Sequence, residues 1–345
     1  MSEVAVESAM IIQRIRIALF VMLLAVCAGA QQPVANIESH PKNPREPWTQ
    51  LSIAGLDLPT LAPLPGGVSE FPDFTRELVR VEWRSGDPVD LYIVRPKGVQ
   101  KPPVVLYLYG HNNDSQKFQN EAWCRSATEG GFAAVGFVSA LAGERFQHRA
   151  LNLWFVSELQ EALGATTHDV QKIIDYLQTR GDLDTERIGM FAQGSGASIA
   201  ILAASVDRRI TSLDLLDPWG DWPEWLKESA IIPENEKAAY AKPEFLAGVA
   251  NLDPLEVFPH LPTKKVRLMQ VANNPAVPKV VREKLAAAAP TGTEIVKYDS
   301  FASFQQAWLR AKLWDWSKAQ LQPASAPPAQ QKATNEASQA GKDLR

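Results

Sequence analysis

The stretch Asp184-Thr185-Glu186-Arg187-Ile188-Gly189-Met190-Phe191-Ala192-Gln193-Gly194-Ser195-Gly196-Ala197 changes character within a few residues. Arg187 to Phe191 has the short apolar run of a strand, and Gly196 to Val206 (GASIAILAASV) has the composition of a helix that starts at once. A strand that passes directly into a helix is the unit of a parallel α/β sheet. The same alternation extends outward in both directions. Upstream, Pro103 to Tyr109 (PVVLYLY) and Ala133 to Val138 (AAVGFV) read as strands buried on both faces. Val170, Ile173, Ile174 and Leu177 mark an intervening helix that ends before Gly181. Leu78 to Trp83 and Val89 to Val94 alternate about the turn Ser85-Gly86-Asp87-Pro88, which predicts an antiparallel hairpin. Downstream, Ser212 to Leu216, Val266 to Val271 and Glu294 to Tyr298 are further strands, and a helix over Ala302 to Ala319 closes the fold.

The expected organisation is thus an α/β domain over residues 77–321, with a mainly parallel sheet and helices on both faces. Residues 31–76 are rich in proline and read as an extended arm or linker. Residues 217–262, which contain Trp219, Trp222 and Trp225, read as a cap or lid insertion. Residues 322–345 have almost no large apolar side chains and are expected to be disordered.

Residues 1–30 read as a signal peptide. Arg14 and Arg16 precede the apolar run Ile17 to Cys27, and Ala28-Gly29-Ala30 offers a cleavage site. Met1 and Met10 are both possible starts, and an uncleaved anchor or a lipoprotein site at Cys27 are the other readings of this segment. Cleavage after Ala30 predicts a periplasmic or secreted protein that meets the membrane only transiently, through the signal peptide. It also leaves Cys124 alone, so no internal disulfide is expected. The net charge of −4 without a basic block argues against a nucleic-acid partner. No Cys/His cluster has metal-ligand spacing and no glycine loop has that of a phosphate site, so neither metal nor cofactor is expected.

With Asp-x-x-Arg-Ile-Gly before it, the opening segment resembles the nucleophile elbow of α/β hydrolases, and the resemblance extends over residues 78–320. It implies a nucleophile at the tip of a sharp strand-to-helix turn, with small residues two before and two after. Gly194 at the tip puts Ala192 and Gly196 in those places; Ser195 at the tip would put Gln193 in the first. The resemblance also implies an acid after a later strand, where Asn274 stands in Asn274-Pro275-Ala276-Val277-Pro278. It implies a histidine before the last helix, where Ser303 is the best match; no histidine follows His260. Gly194 has no atom to attack a carbonyl, Ser303 cannot take a proton as an imidazole does, and Asn274 cannot offset an imidazolium charge. Such groups act as a unit, so losing one removes most of the chemistry.

Other features implied by the resemblance are retained. Gly110, His111 and Asn112 follow the third strand, where an oxyanion-hole amide would lie, and the Ser195 amide would be its partner. Gly110, His111, Asn112, Gly194, Ser195 and Trp219 are therefore the candidate ligand-binding residues. Asp217 follows the sixth strand, a position from which the resemblance also allows an acid. The simpler readings are His111 as a loop cap, Asp217-Pro218 as a turn, Glu144-Arg145 as a surface or loop ion pair and the tryptophans as packing. Two functions follow. One is an exported, non-catalytic protein that binds a small acyl or carboxylate ligand or a protein partner. The alternative is an active serine ester or peptide hydrolase using Ser195 with a displaced base such as His111.

Overall fold

The computed structural model describes residues 46–56, 58, 61–84, 86–111, 113–141, 145, 159–309 and 313–322. The signal segment, Asn112, Glu144 and nearly all of the C-terminal tail lie outside the described residues.

Nine strands make one sheet: β1 (Leu64–Glu70), β2 (Phe74–Val81), β3 (Val89–Pro96), β4 (Pro103–Leu108), β5 (Ala133–Gly136), β6 (Asp184–Gln193), β7 (Ile210–Leu216), β8 (Val266–Val271) and β9 (Glu294–Tyr298). Their order is β1-β2-β3-β5-β4-β6-β7-β8-β9. The first three strands and β5 pair antiparallel, whereas every pair from β5-β4 to β8-β9 is parallel. The expected hairpin, sheet and strand-helix alternation are all present. The helices are α1 (Gln116–Gln119), α2 (Glu121–Thr128), α3 (Leu159–Gln178), α4 (Ser195–Val206), α5 (Trp222–Glu228), α6 (Glu234–Tyr240), α7 (Pro243–Val249), α8 (Pro254–Val257), α9 (Lys279–Ala288), α10 (Phe301–Leu309) and α11 (Leu313–Leu321). The single closing helix expected over Ala302 to Ala319 is divided into α10 and α11.

Side chains alternate faces along each strand, so the central strands supply two separate cores. Val104, Leu106 and Leu108 of β4, with Ile188, Met190 and Ala192 of β6, face α3 and α4. Val105 and Tyr107 of β4, with Phe191 of β6, face Phe118, Trp123, Phe304 and Leu321 from α1, α2, α10 and α11. The stretch expected as a lid contributes Trp222, Trp225, Leu252 and Phe258 to the first core, and its main contacts are with α3, α4 and α9.

The expected extended arm differs in its described part. Residues 64–70 are a paired edge strand, and residues 46–56 form a strap against α3. The strap is held by buried charge. Arg84 meets Glu46 at 2.6 Å and Asp169 at 2.6 Å, and it donates to the Ala165 carbonyl. Arg145 joins Asp87 to Asp169, so it is a buried anchor; Glu144, its expected ion-pair partner, lies outside the described residues. His168 is hydrogen-bonded through Nδ1 to Glu46 at 2.7 Å and through Nε2 to the Gln50 carbonyl at 2.6 Å. Gln171 adds bonds to Leu51 O and Ile53 N. Burial alone would raise the Glu46 carboxyl, but hydrogen bonds from His168 and Arg84 outweigh it and hold the group below its ordinary 4.5.

Removing one partner from such a cluster leaves buried charge uncompensated. Arg84→Ala should therefore lower the unfolding free energy by about 3–5 kcal/mol in urea titrations. Cutting the exposed Arg80–Asp90 pair should cost about 1 kcal/mol or less. A carboxyl with a depressed folded value stabilises above its unfolded value, so the Glu46 share should be complete above pH 4.5 and decline on acidification.

Candidate functional site

Gly194 caps α4 with φ 57° and ψ −125°, a backbone conformation that strains any residue with a side chain. It is the residue at the turn. Its amide donates to Leu216 O on β7, and its carbonyl accepts from the Ala197 and Ser198 amides. Gly196, two residues on, has no alternative: a Cβ there would lie 2.2 Å from Leu108 O. The helix therefore starts against the backbone of β4. Gly110, just past β4, approaches the same backbone less tightly: a Cβ on it would stand 3.4 Å from Gln193 O and 3.9 Å from Ser195 N, in ordinary contact.

Trp219 closes the other side of the turn. A Cβ on Gly194 would lie 3.6 Å from Trp219 Nε1 and 3.8 Å from both Trp219 Cε2 and Gly110 Cα. The Ser198 hydroxyl, one helical turn past Gly194, donates to Trp219 O and accepts from Trp219 N, both at 2.9 Å. Trp219 stacks on Trp225 with centroids 4.7 Å apart and contacts the His111 ring at 5.3 Å. Burial pushes His111 down to about 4, so its ring is uncharged and weakly basic at neutral pH.

Ser195 begins α4, and its side chain is fully buried with no hydrogen-bond partner for Oγ. Its Oγ makes no hydrogen bond to His111. Among the described residues, the remaining buried histidine near the sheet, His168, belongs to the strap cluster.

Asn274 and Ser303 are both engaged elsewhere. Asn274 Nδ2 donates to Asp217 Oδ2 at 2.8 Å, and its Oδ1 accepts from the Ala276 amide at 3.0 Å. Asp217 follows β7 with φ 48°, is buried, and accepts a second bond from the Val271 amide. Burial raises its carboxyl against the opposing effect of these bonds. The guanidinium of Arg282, from α9, ties the same loop through the carbonyls of Ala272, Asn274 and Val277. Ser303 exchanges hydrogen bonds with Ser300 in the first turn of α10, where it acts as a cap.

Of the candidate binding residues, Gly110, His111, Gly194, Ser195 and Trp219 are brought together; Asn112 lies outside the described residues. Sequence reasoning missed Ser198 and read Asp217 either as a possible acid after its strand or as a turn. The one signal for Ser198 was a polar residue within the otherwise apolar stretch Ala197 to Ala204 of α4. Among the described residues no group of acidic, His or Cys side chains could hold a metal ion. No helix among them is long and apolar enough to cross a membrane.

No protein-family model and no curated protein matches the sequence. Solved structures match its fold. Acetyl Xylan Esterase 1 from Thermoanaerobacterium sp. JW/SL YS485 aligns with TM-score 0.57 at 12% identity, over 77% of this chain and 91% of its own. A cold-adapted esterase from an Arctic intertidal metagenomic library aligns with TM-score 0.56 at 14% identity, over 74% and 98%. The Pyrococcus horikoshii acylaminoacyl peptidase gives TM-score 0.57 at 14% identity, over 75% of this chain and 43% of that longer one. The chain has the α/β-hydrolase fold, and at these identities the likeness is one of fold alone.

The bonds of Asn274 give a sharp expectation. In Asn274→Asp, two carboxylates would face each other where a donor now meets an acceptor, at a cost of about 3 kcal/mol at neutral pH. The loss should shrink on acidification, because one carboxyl of such a pair holds its proton to a raised pH. The exchange Asp217→Asn with Asn274→Asp restores every bond and should recover most of the stability. Urea unfolding of the two single variants and the double variant measures this coupling; additive losses would refute it.

Proposed function

We propose that this chain is an exported, non-catalytic α/β-hydrolase-fold protein that holds a small acyl or carboxylate group of a ligand at the β6–α4 turn. The observation that carries this reading is Gly194. The position where the fold presents a nucleophile has no side chain, and its left-handed backbone favours glycine. The states of the neighbouring groups support the reading. Ser195 Oγ is buried without a base, the Asn274 amide is used by Asp217 and Ala276, and the Ser303 hydroxyl caps its own helix. The start of α4 supports binding, because a helix N-terminus favours carbonyl oxygens and anions. The names of the structural neighbours, an acetyl xylan esterase and an acylaminoacyl peptidase, both concern acyl groups, which supports an acyl ligand here.

The test is direct. The purified protein should take no fluorophosphonate label and should show no serine-dependent turnover of p-nitrophenyl acetate. Labelling that disappears in Ser195→Ala would overturn the proposal and make the chain an enzyme. Export rests on Arg14 and Arg16, the apolar run Ile17 to Cys27 and Ala28-Gly29-Ala30. Intact-mass analysis of the protein from its native host should find a chain beginning at Gln31. A cytoplasmic chain retaining residues 10–30 would refute export.

A further inference from the structure

We infer that the strap over residues 46–56 is a pH-sensitive latch, fastened by a charged His168 paired with Glu46 and released when rising pH removes that charge. The device lies on the α3 side of the sheet and does not depend on how the β6–α4 turn is read. Two independent observations assign the charge.

The first is the hydrogen bonding of the ring. Nε2 stands 2.6 Å from the Gln50 carbonyl oxygen, which can only accept, so Nε2 carries a proton. Nδ1 stands 2.7 Å from Glu46 Oε1. The same carboxylate takes Arg84 Nε on Oε2 at 2.6 Å and Arg84 Nη2 on Oε1 at 2.9 Å. Against the effect of burial, its hydrogen bonds hold it below the ordinary 4.5, and so ionised at neutral pH. An ionised carboxylate offers only lone pairs, so Nδ1 carries a proton as well. A ring with both nitrogens protonated is an imidazolium.

The second is the charge count. The charged groups around the ring are Glu46 from the strap, Arg84 and Asp87 from the β2–β3 turn, Arg145 from the segment after β5, and Asp169 from α3 itself. Three carboxylates against two guanidiniums leave one negative charge over. The side chains of Glu46, Asp169 and His168 are fully buried, and a buried charge without a counter-charge is strongly disfavoured. A protonated His168 supplies the missing cation. Trp48 of the strap lies along the same ring, with planes 12° apart.

The rest of the seat does not titrate. Gly164 of α3 leaves room for the strap backbone, since a Cβ on it would lie 2.3 Å from Trp48 O. Gln171 holds Leu51 O and Ile53 N through its side-chain amide. Loss of a proton from Nδ1 would instead set a lone pair against the Glu46 carboxylate and loosen residues 46–50. In an opened strap the imidazole has its ordinary value of about 6.5. Closing therefore takes up one proton above that pH, and opening becomes easier by up to about tenfold per pH unit. The strap is fully latched below about pH 6.5 and loosens above it. Its residues Ser52, Ile53 and Leu56 wall a cavity of about 400 Å³ together with Gln171, Asp175 and Arg209, so a released strap opens that cavity.

The test combines nitrogen NMR of the His168 ring with hydrogen exchange of the full-length protein, read by mass spectrometry and corrected for intrinsic exchange. At about pH 7.5, where a free imidazole is mostly neutral, both ring nitrogens should show the shifts of an imidazolium. Protection of the peptide over residues 46–56 should fall at least about tenfold between about pH 6 and about pH 9, while β4 keeps its protection. Glu46→Gln leaves Asp87 and Asp169 against Arg84 and Arg145, and its amide can donate to a neutral Nδ1. Its strap should stay closed, with protection that does not change with pH. His168→Gln, which cannot titrate, should also lose the pH dependence and decides the matter if circular dichroism finds Glu46→Gln unfolded. A neutral ring at about pH 7.5 would overturn the charge assignment. Wild-type protection that stays level, or that falls together with that of β4, would overturn the latch. A pH dependence as large in Glu46→Gln as in wild type would overturn the pairing with Glu46.

Discussion

The contact between α4 and the end of β4 is the constraint on which the rest of the structure depends. Gly196 lies so close to the Leu108 carbonyl that no side chain can be added there, and this proximity obliges the chain to turn sharply at Gly194. The turn then fixes its neighbours. The Gly194 amide is committed to Leu216 O, which aligns the ends of β6 and β7, and Gly110 is drawn to within contact of the same backbone. This geometry depends on backbone approach and small residues, not on a side chain at the tip.

Beside the turn, polar groups that could have served chemistry are used to join loops. Asp217 takes the Val271 amide and the Asn274 side chain, and Asn274 takes the Ala276 amide. The guanidinium of Arg282 meets carbonyl oxygens of the same loop. A neutral amide is well suited to this joint, since it donates to a buried carboxylate and accepts from an amide at once; a second carboxylate would do only half of that. The Asp217–Asn274 joint is thus part of the frame that carries Trp219, two residues beyond Asp217.

A second frame lies on the α3 side, where the strap over residues 46–56 is fastened by Glu46, Arg84, Asp169, His168 and Arg145. Buried charges tolerate little displacement, because each depends on partners at fixed distance. The cluster therefore makes a segment of low intrinsic order a fixed part of the domain, and it connects the β2–β3 hairpin to α3 by side chains instead of sheet pairing.

The sequence by itself determined the strands, their alternation with helices and the strand-to-helix turn at Gly194, because apolar periodicity and small residues at close approaches are local signals. The bounds of β8 and β9 were legible to the residue, since each is a short apolar or alternating run between turns. The break between α10 and α11 and the edge strand β1 were not, since neither has a clear local period. The strap was read as a linker because proline-rich composition says nothing of a docking surface made by Arg84 and His168, residues distant in sequence. Tertiary structure alone decided what the polar residues do: whether Asn274 faces a carboxylate, whether Ser303 faces a ligand or its own helix, and whether Trp219 leans on Gly194. Hydrogen bonds and ring contacts between residues far apart in the chain leave no local pattern, so their partners emerge only when the loops after β7, β8 and β9 are brought to one end of the sheet.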